Sequence, residues 1–209
     1  MVNTHRFPVY ISSSVHTRIY TVYTLRKLSF SAPSTAMTSV TFKYPAFHSF
    51  PPSYTLQLVA GTRTKQVTLW CDLIRDYCSH HRIFWLTFDA VLFRNDSIDR
   101  RLSDSDVKYF FGELVARGDG EWDASRERVL VYWRRPAEWG ELIWKWVENS
   151  GMNGQVVTLH EIRSQTTVPE ITNLELDTTM RALQTLESEG KCAIMQGDVN
   201  DGLGVKFAN

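Results

Sequence analysis

Histidine side chains are the first candidates for metal binding or acid-base chemistry, and the 209-residue chain has six of them. His80 and His81 are adjacent, so on a helix their side chains point about 100° apart and do not share one set of ligand positions. His160-Glu161 begins like a zinc-protease motif, but Ser164 stands where the second histidine belongs. The histidines therefore predict no metal site.

The remaining reactive residue types also lack a recognisable arrangement. Cys71, Cys78 and Cys192 are few, odd in number and without metal-ligand spacing, which favours reduced thiols in a cytosolic protein. The Gly-Asp-Gly turn at 118–120 follows a predicted helix rather than a strand, unlike a nucleotide-binding loop. No nucleophile motif frames a serine or cysteine. We therefore predict a protein that is not an enzyme and needs no cofactor or metal.

Composition and charge narrow the class further. Apolar residues make up 43% and charged residues 22% of the chain, and no stretch approaches the roughly 18 uncharged apolar residues of a membrane span, so we expect a soluble globular protein. Residues 1–71 hold seven basic groups and no acid, whereas the other 16 basic and 23 acidic groups give residues 72–209 a net charge of −7. An acidic body disfavours nucleic-acid binding.

Hydrophobic periodicity and capping residues predict a mixed order of helices and strands. Ser103 and Asp177 are the expected caps of two of the helices, and Pro136 suits the first turn of another. The predicted helices cover 62–81, 103–118, 136–151, 159–165 and 177–190, and the predicted strands cover 83–88, 121–123, 129–133, 156–158, 192–195 and 205–207.

An internal duplication is visible when two glycines that end helices are aligned. Phe111 and Leu114 lie seven and four residues before Gly118, and two leucines lie at the same distances before Gly190. Each glycine is followed by a pair of strands. This order is typical of the winged helix, so we expect an α+β protein with two tandem winged-helix domains.

The predicted domains are a first winged helix at 62–134 and a second at 135–208, preceded by an extended docking arm at 42–61. The arm joins three prolines to aromatic rings at 44–54, and such a segment can offer its rings to a partner in a polyproline-like conformation. Residues 1–41, rich in hydroxyl side chains, are interpreted as a disordered or non-native extension; a start at Met37 and an organellar transit peptide are both open.

Four blocks of sequence resemble the vacuolar protein sorting-associated protein 25 family, whose members are subunits of the endosomal sorting complex required for transport II (ESCRT-II). They read Phe-Pro-Pro-Ser-Tyr-Thr-Leu-Gln at 50–57, Lys-Gln and Trp-Cys at 65–66 and 70–71, Trp-Arg-Arg-Pro-Ala-Glu-Trp-Gly at 133–140 and Gly-Val-Lys-Phe at 204–207. The resemblance covers about residues 43–208. It implies two consecutive winged helices, in agreement with the duplication.

The resemblance also implies a function and a set of partners. Phe50, Pro51, Pro52 and Tyr54 would dock each copy onto a larger subunit of the vacuolar protein sorting 22 or 36 family, with two copies of this chain per complex. Tyr54 replaces the family's usual phenylalanine, so its hydroxyl needs a partner or a wet rim.

The second winged helix would recruit an ESCRT-III subunit of the vacuolar protein sorting 20 family, and Arg163 or Glu170 are guesses for that surface. The expected role is non-catalytic cargo sorting into multivesicular bodies by a cytoplasmic protein that reaches the endosomal membrane only through partners.

Two alternatives remain open at this point. A winged-helix transcription factor would read DNA with the third helix of each unit, but both helices carry more acidic than basic side chains. A second alternative takes Pro51, Pro52 and Tyr54 as the ligand of a WW domain. The first requires salt-sensitive duplex binding, and the second requires an accessible tyrosine ring.

Overall fold

The computed structural model describes residues 41–209. Two three-stranded antiparallel sheets, each with helices packed on it, account for most of this mixed fold. The helices are α1 (Ala60–His81), α2 (Asp104–Ala116), α3 (Pro136–Asn149), α4 (Leu159–Ser164) and α5 (Leu176–Ser188). The strands are β1 (Trp85–Thr87), β2 (Arg94–Asn95), β3 (Arg100–Arg101), β4 (Gly120–Trp122), β5 (Arg128–Val131), β6 (Val156–Thr158), β7 (Cys192–Ile194) and β8 (Gly204–Phe207).

Residues 41–134, here called the first half, build a core beneath α1 and α2. The sheet has the order β1-β5-β4. The fully buried rings of Trp70, Phe110 and Phe111 fill the space between the helices and the sheet. Helix α2 begins where predicted, because the Ser103 side chain accepts a hydrogen bond from the Asp106 backbone. It ends before Gly118, whose φ of 74° is one that glycine adopts at little cost.

Residues 135–209, the second half, repeat this arrangement around the sheet β6-β8-β7. Helices α3 and α5 pack closely at Gly140, which has no side chain. A Cβ atom there would lie only 3.1 Å from the Ala182 carbonyl oxygen. The predicted cap of α5 was wrong. Glu175, not Asp177, accepts the hydrogen bond from the Thr178 backbone, so the cap and the helix start lie two residues earlier than expected.

The two halves differ between their first strand and their next long helix. In the second half this position holds α4, closed at its start by reciprocal hydrogen bonds between Thr158 and Glu161. In the first half it holds the short β2–β3 hairpin and two 3₁₀ turns, Val91–Phe93 and Asp96–Ile98. The duplication is therefore partial.

Polar contacts join the halves. The Arg181 Nε of α5 donates to Glu121 of β4 at 2.8 Å, and the Tyr132 hydroxyl donates to the same carboxylate at 2.7 Å. Burial acts to raise the pKa of Glu121, but these hydrogen bonds outweigh it and leave the pKa below its ordinary value. At the end of α1, Arg82 donates to the carbonyls of Glu170 and Thr172 at 3.2 and 3.0 Å.

The predicted extended arm is not extended. Residues Ala46–Ser49 and Pro51–Tyr54 form two successive 3₁₀ turns that lie against α1, here called the 3₁₀ segment. Proline at the first positions of a turn favours this outcome, because its fixed φ is already helical and its missing N–H is not needed there. Helix α1 also begins at Ala60, two residues before its predicted start. The expectations for residues 1–40 fall outside the described part of the chain.

Of the helices within residues 41–209, none combines the length and apolar character needed to cross a bilayer.

Candidate partner-docking surface

An open groove of about 180 Å³ lies between the 3₁₀ segment and the N-terminal turns of α1. Its walls are mostly apolar, with Phe50 exposed at 59% of its surface on one side and Leu69 exposed on the other. The side chains lining it come from Phe47, Phe50, Pro52, Ser53, Gln57, Thr62, Lys65, Gln66 and Leu69. Exposed apolar surface of this kind is typical of a site that another molecule covers.

Tyr54 fixes one side of the groove from within the core. Only 4% of its surface is exposed, its ring packs edge-on against Trp70 at 5.6 Å, and its hydroxyl donates to the His48 carbonyl at 2.8 Å. Burial raises the pKa of Tyr54 to about 12, so the hydroxyl stays a donor. The expected hydroxyl partner is therefore supplied by the chain itself.

Gln66 of α1 ties the 3₁₀ segment down with three hydrogen bonds. Its amide nitrogen donates to the carbonyls of Ser53 and Thr55, both at 2.9 Å, and its carbonyl oxygen accepts from the Gln57 backbone at 3.0 Å. The Trp70 indole also donates to the Ser53 carbonyl, at 3.0 Å. Sequence reasoning assigned Gln66 no role, although a glutamine one turn before a buried tryptophan on the same helix face is a usable signal.

His48 holds the other end of the segment. Its Nε2 lies 3.1 Å from the Leu92 carbonyl, which can only accept, so Nε2 carries the proton and Nδ1 accepts from the Asn95 amide at 3.3 Å. The Tyr44 ring stacks on the imidazole at 4.3 Å. Burial lowers the pKa of His48, and the hydrogen bond to Leu92 opposes this only in part.

We expect the protein to lose stability at mildly acidic pH because His48, which holds the 3₁₀ segment, becomes protonated. Because the folded pKa of His48 lies below its unfolded value of about 6.5, the unfolded chain binds the proton more readily, and stability is lost as pH falls below that value. Urea unfolding at pH 7.5 and 5.5 measures the loss. The His48→Gln variant should lose less stability than the parent over this interval, and an equal loss in both would contradict the assignment.

The four predicted docking residues divide into two groups. Phe50, Pro51 and Pro52 are exposed, and Phe50 and Pro52 line the groove. Tyr54 is buried in its own chain and supports the groove from within; a direct contact of its ring with a partner stays a prediction. This burial also argues against the WW-domain reading, which requires an accessible tyrosine.

The histidines and cysteines considered for chemistry do not form a reactive or metal-binding group in the described part of the chain. His80 and His81 are exposed at the end of α1, and within residues 41–209 no group of three or more metal-binding side chains is placed to hold an ion. Burial raises the pKa of Cys71 and Cys192 to about 11 and that of Cys78 to about 12, so the thiols stay protonated.

The two residues suggested for the second half differ in exposure, because Arg163 is half-buried whereas Glu170 is exposed and only its backbone carbonyl is bound. The Arg163 Nε donates to the Leu174 carbonyl at 2.6 Å, and its guanidinium forms an ion pair with Asp201. The Glu170 carbonyl accepts from Arg82. Arg163 therefore serves the fold of the second half, because removing it would leave the Leu174 carbonyl without this donor.

Comparisons with known proteins give the class. The family model described as "ESCRT-II complex subunit" matches residues 47–177, which include the groove, nearly all of the first half and the second half as far as the start of α5. The chain is 39% identical to "Vacuolar protein-sorting-associated protein 25" of Danio rerio over 175 residues, with 80% of this chain and 99% of that protein covered.

Two solved structures share the fold. "Crystal structure of subunit VPS25 of the endosomal trafficking complex ESCRT-II" matches with a TM-score of 0.71 and 25% identity, covering 78% of this chain and 98% of the other. "The crystal structure of endosomal complex ESCRT-II (VPS22/VPS25/VPS36)" matches with a TM-score of 0.67 and 26% identity, covering 82% and 100%. The chain belongs to the vacuolar protein sorting-associated protein 25 family of ESCRT-II subunits.

Proposed function

We propose that this chain is a non-catalytic scaffold of ESCRT-II that docks onto larger VPS22- and VPS36-type subunits through its apolar groove. The observation that carries the proposal is the groove itself, whose exposed Phe50 and Pro52 are held in place by the buried contacts of Tyr54 and Gln66. A rigid apolar surface loses little conformational entropy on binding, which favours affinity. The relative with a solved complex is described together with VPS22 and VPS36.

The finer architecture belongs to the same proposal. We assign residues 62–134 and 135–208 to two winged helices, with the hairpins β4–β5 and β7–β8 as their wings. The repeated helix-and-sheet arrangement supports this assignment. The region at 42–61 keeps its docking role in a folded form, and Pro51, which is exposed beside the groove, belongs to the contact.

The downstream role follows from the number of copies. Two copies of this chain in one complex would present two second halves, each able to recruit an ESCRT-III subunit of the vacuolar protein sorting 20 family. Two linked sites raise the effective concentration of the recruited subunits, which favours polymer assembly during the sorting of cargo into multivesicular bodies. The cytoplasmic chain would reach the endosomal membrane through these partners.

The Phe50→Asp variant tests docking. A charge placed in a desolvated apolar contact should weaken association with the co-expressed larger subunits about 30-fold, the effect of losing a hot spot of about 2 kcal/mol. Binding of the purified chain to the two larger subunits, followed by calorimetry or interferometry, measures the change.

Val91→Asp is the matched control, because Val91 is similarly exposed, at 55% of its surface, and does not line the groove. It should bind like the parent. Equal binding by both variants would contradict docking through the groove.

A further inference from the structure

Two apolar side chains beside the groove project into solvent. Leu58 is exposed at 90% and Val59 at 70% of its surface, the two largest values among the bulky apolar residues of the described chain. They lie between Gln57, which lines the groove, and the start of α1. Scattered single apolar residues are normal on a protein surface, but an adjacent pair next to a groove is a candidate contact.

The backbone that carries this pair is fixed. The Arg63 side chain reaches back from α1 and donates to the Gln57 carbonyl at 2.7 Å and to the Leu58 carbonyl at 2.8 Å. The Arg63 backbone N–H donates to the Val59 carbonyl at 2.9 Å, and the Gln57 N–H is bound by Gln66. The pair is thus held in place before any partner arrives, which lowers the entropic cost of binding.

Val59 also occupies a position where its side chain does not stabilise the start of α1. It is the N-cap of α1 and makes no side-chain hydrogen bond to the helix, whereas serine, threonine, aspartate or asparagine would satisfy a free backbone N–H there. An exposed valine that neither packs nor caps contributes little to folding. Such a local departure from the stable choice is expected at functional positions.

The charge around the pair indicates the chemistry of its partner. Between residues 55 and 71 the chain carries Arg63 and Lys65 and no acidic residue, and Lys65 lines the groove. A complementary surface is therefore an apolar pocket with acidic side chains at its rim.

We propose that Leu58 and Val59 form a second anchor, which inserts into an acidic-rimmed apolar pocket on the larger subunit that covers the groove. This inference rests on the proposed docking function and extends its surface from the groove to the start of α1.

The chain's own residues 1–40 are the competing occupant of the surface around the pair. They join the described chain at Thr41, and the neighbouring Phe42 packs on Tyr77 and His80, at the end of α1 opposite to the pair. That 22-residue helix is about 33 Å long.

The double variant Leu58→Asp/Val59→Asp tests the anchor in the complex reconstituted with both larger subunits. Both side chains are exposed and aspartate is a good N-cap, so the thermal midpoint of the variant should equal or exceed that of the parent. Its affinity should fall at least tenfold. Leu58→Met/Val59→Ile should bind like the parent, and Lys65→Glu should slow association, most strongly at low salt.

The result separates the two proposals. If Phe50→Asp loses binding and the double aspartate variant does not, the anchor is wrong and the groove proposal stands. If neither loses binding, both are wrong. If the double variant lowers the midpoint of the full chain but not of a chain lacking residues 1–40, the pair is covered by its own N-terminal segment and the anchor is overturned.

Discussion

Trp70→Ala is expected to lower the free energy of unfolding by about 3–5 kcal/mol, as removal of a fully buried tryptophan usually does. The Trp70 ring touches Phe47 and Tyr54 on the side of the 3₁₀ segment and stacks on Phe110 of α2 at 5.8 Å on the other side. The substitution therefore removes the packing that supports the 3₁₀ segment beside the groove. Because a domain is stable by only about 5–15 kcal/mol, the loss is a large share of the total.

Urea unfolding at neutral pH measures this prediction. Trp70→Phe is the control, because it keeps one aromatic ring and loses the hydrogen bond to the Ser53 carbonyl and only part of the buried volume, so its loss should be smaller. A loss below about 1 kcal/mol for Trp70→Ala would contradict the assigned packing.

Trp139→Ala should destabilise the protein by a similar amount, about 3–5 kcal/mol, through the second half. Trp139 is buried on α3, packs edge-on against Trp133 at 5.0 Å and lies under the Arg134 guanidinium at 4.7 Å. These residues belong to the block Trp-Arg-Arg-Pro-Ala-Glu-Trp-Gly that connects the halves. The groove lies in the other buried cluster, so the folded variant should still bind the larger subunits.

Trp144→Ala is the matched control on the same helix. Trp144 is half-buried and 6.4 Å from Phe207, so its removal costs less packing. Equal losses for the two tryptophan variants would contradict the core assignment. A loss of binding by folded Trp139→Ala protein would contradict the separation of groove and second half.

The helices and strands were largely predictable because their signals are local. Ser103 and Pro136 each mark a helix start within one turn, and the spacing of apolar residues before Gly118 and Gly190 reflects faces that the structure buries. The cap of α5 was missed because Glu175 and Asp177 lie within one turn and both side chains can accept a hydrogen bond. The choice depends on how the preceding loop packs.

The 3₁₀ segment was predicted as a docking region but with the wrong conformation. A proline pair allows both a polyproline-like strand and a helical turn, and local sequence does not decide between them. The decision comes from contacts across the chain: Gln66 binds the carbonyls of Ser53 and Thr55, and the Leu92 carbonyl binds His48. Partners separated by 11 to 44 residues leave no periodic pattern in the sequence.

A photo-crosslinking residue placed at position 50 of the assembled complex tests docking through the groove most directly. The residue used is benzoylphenylalanine. Because Phe50 is exposed, its benzophenone side chain fits there without disturbing the core. We predict that illumination joins this chain to the VPS22- or VPS36-type subunit from position 50 and not from position 91. An intact complex that crosslinks equally from both positions, or only from position 91, would contradict the account.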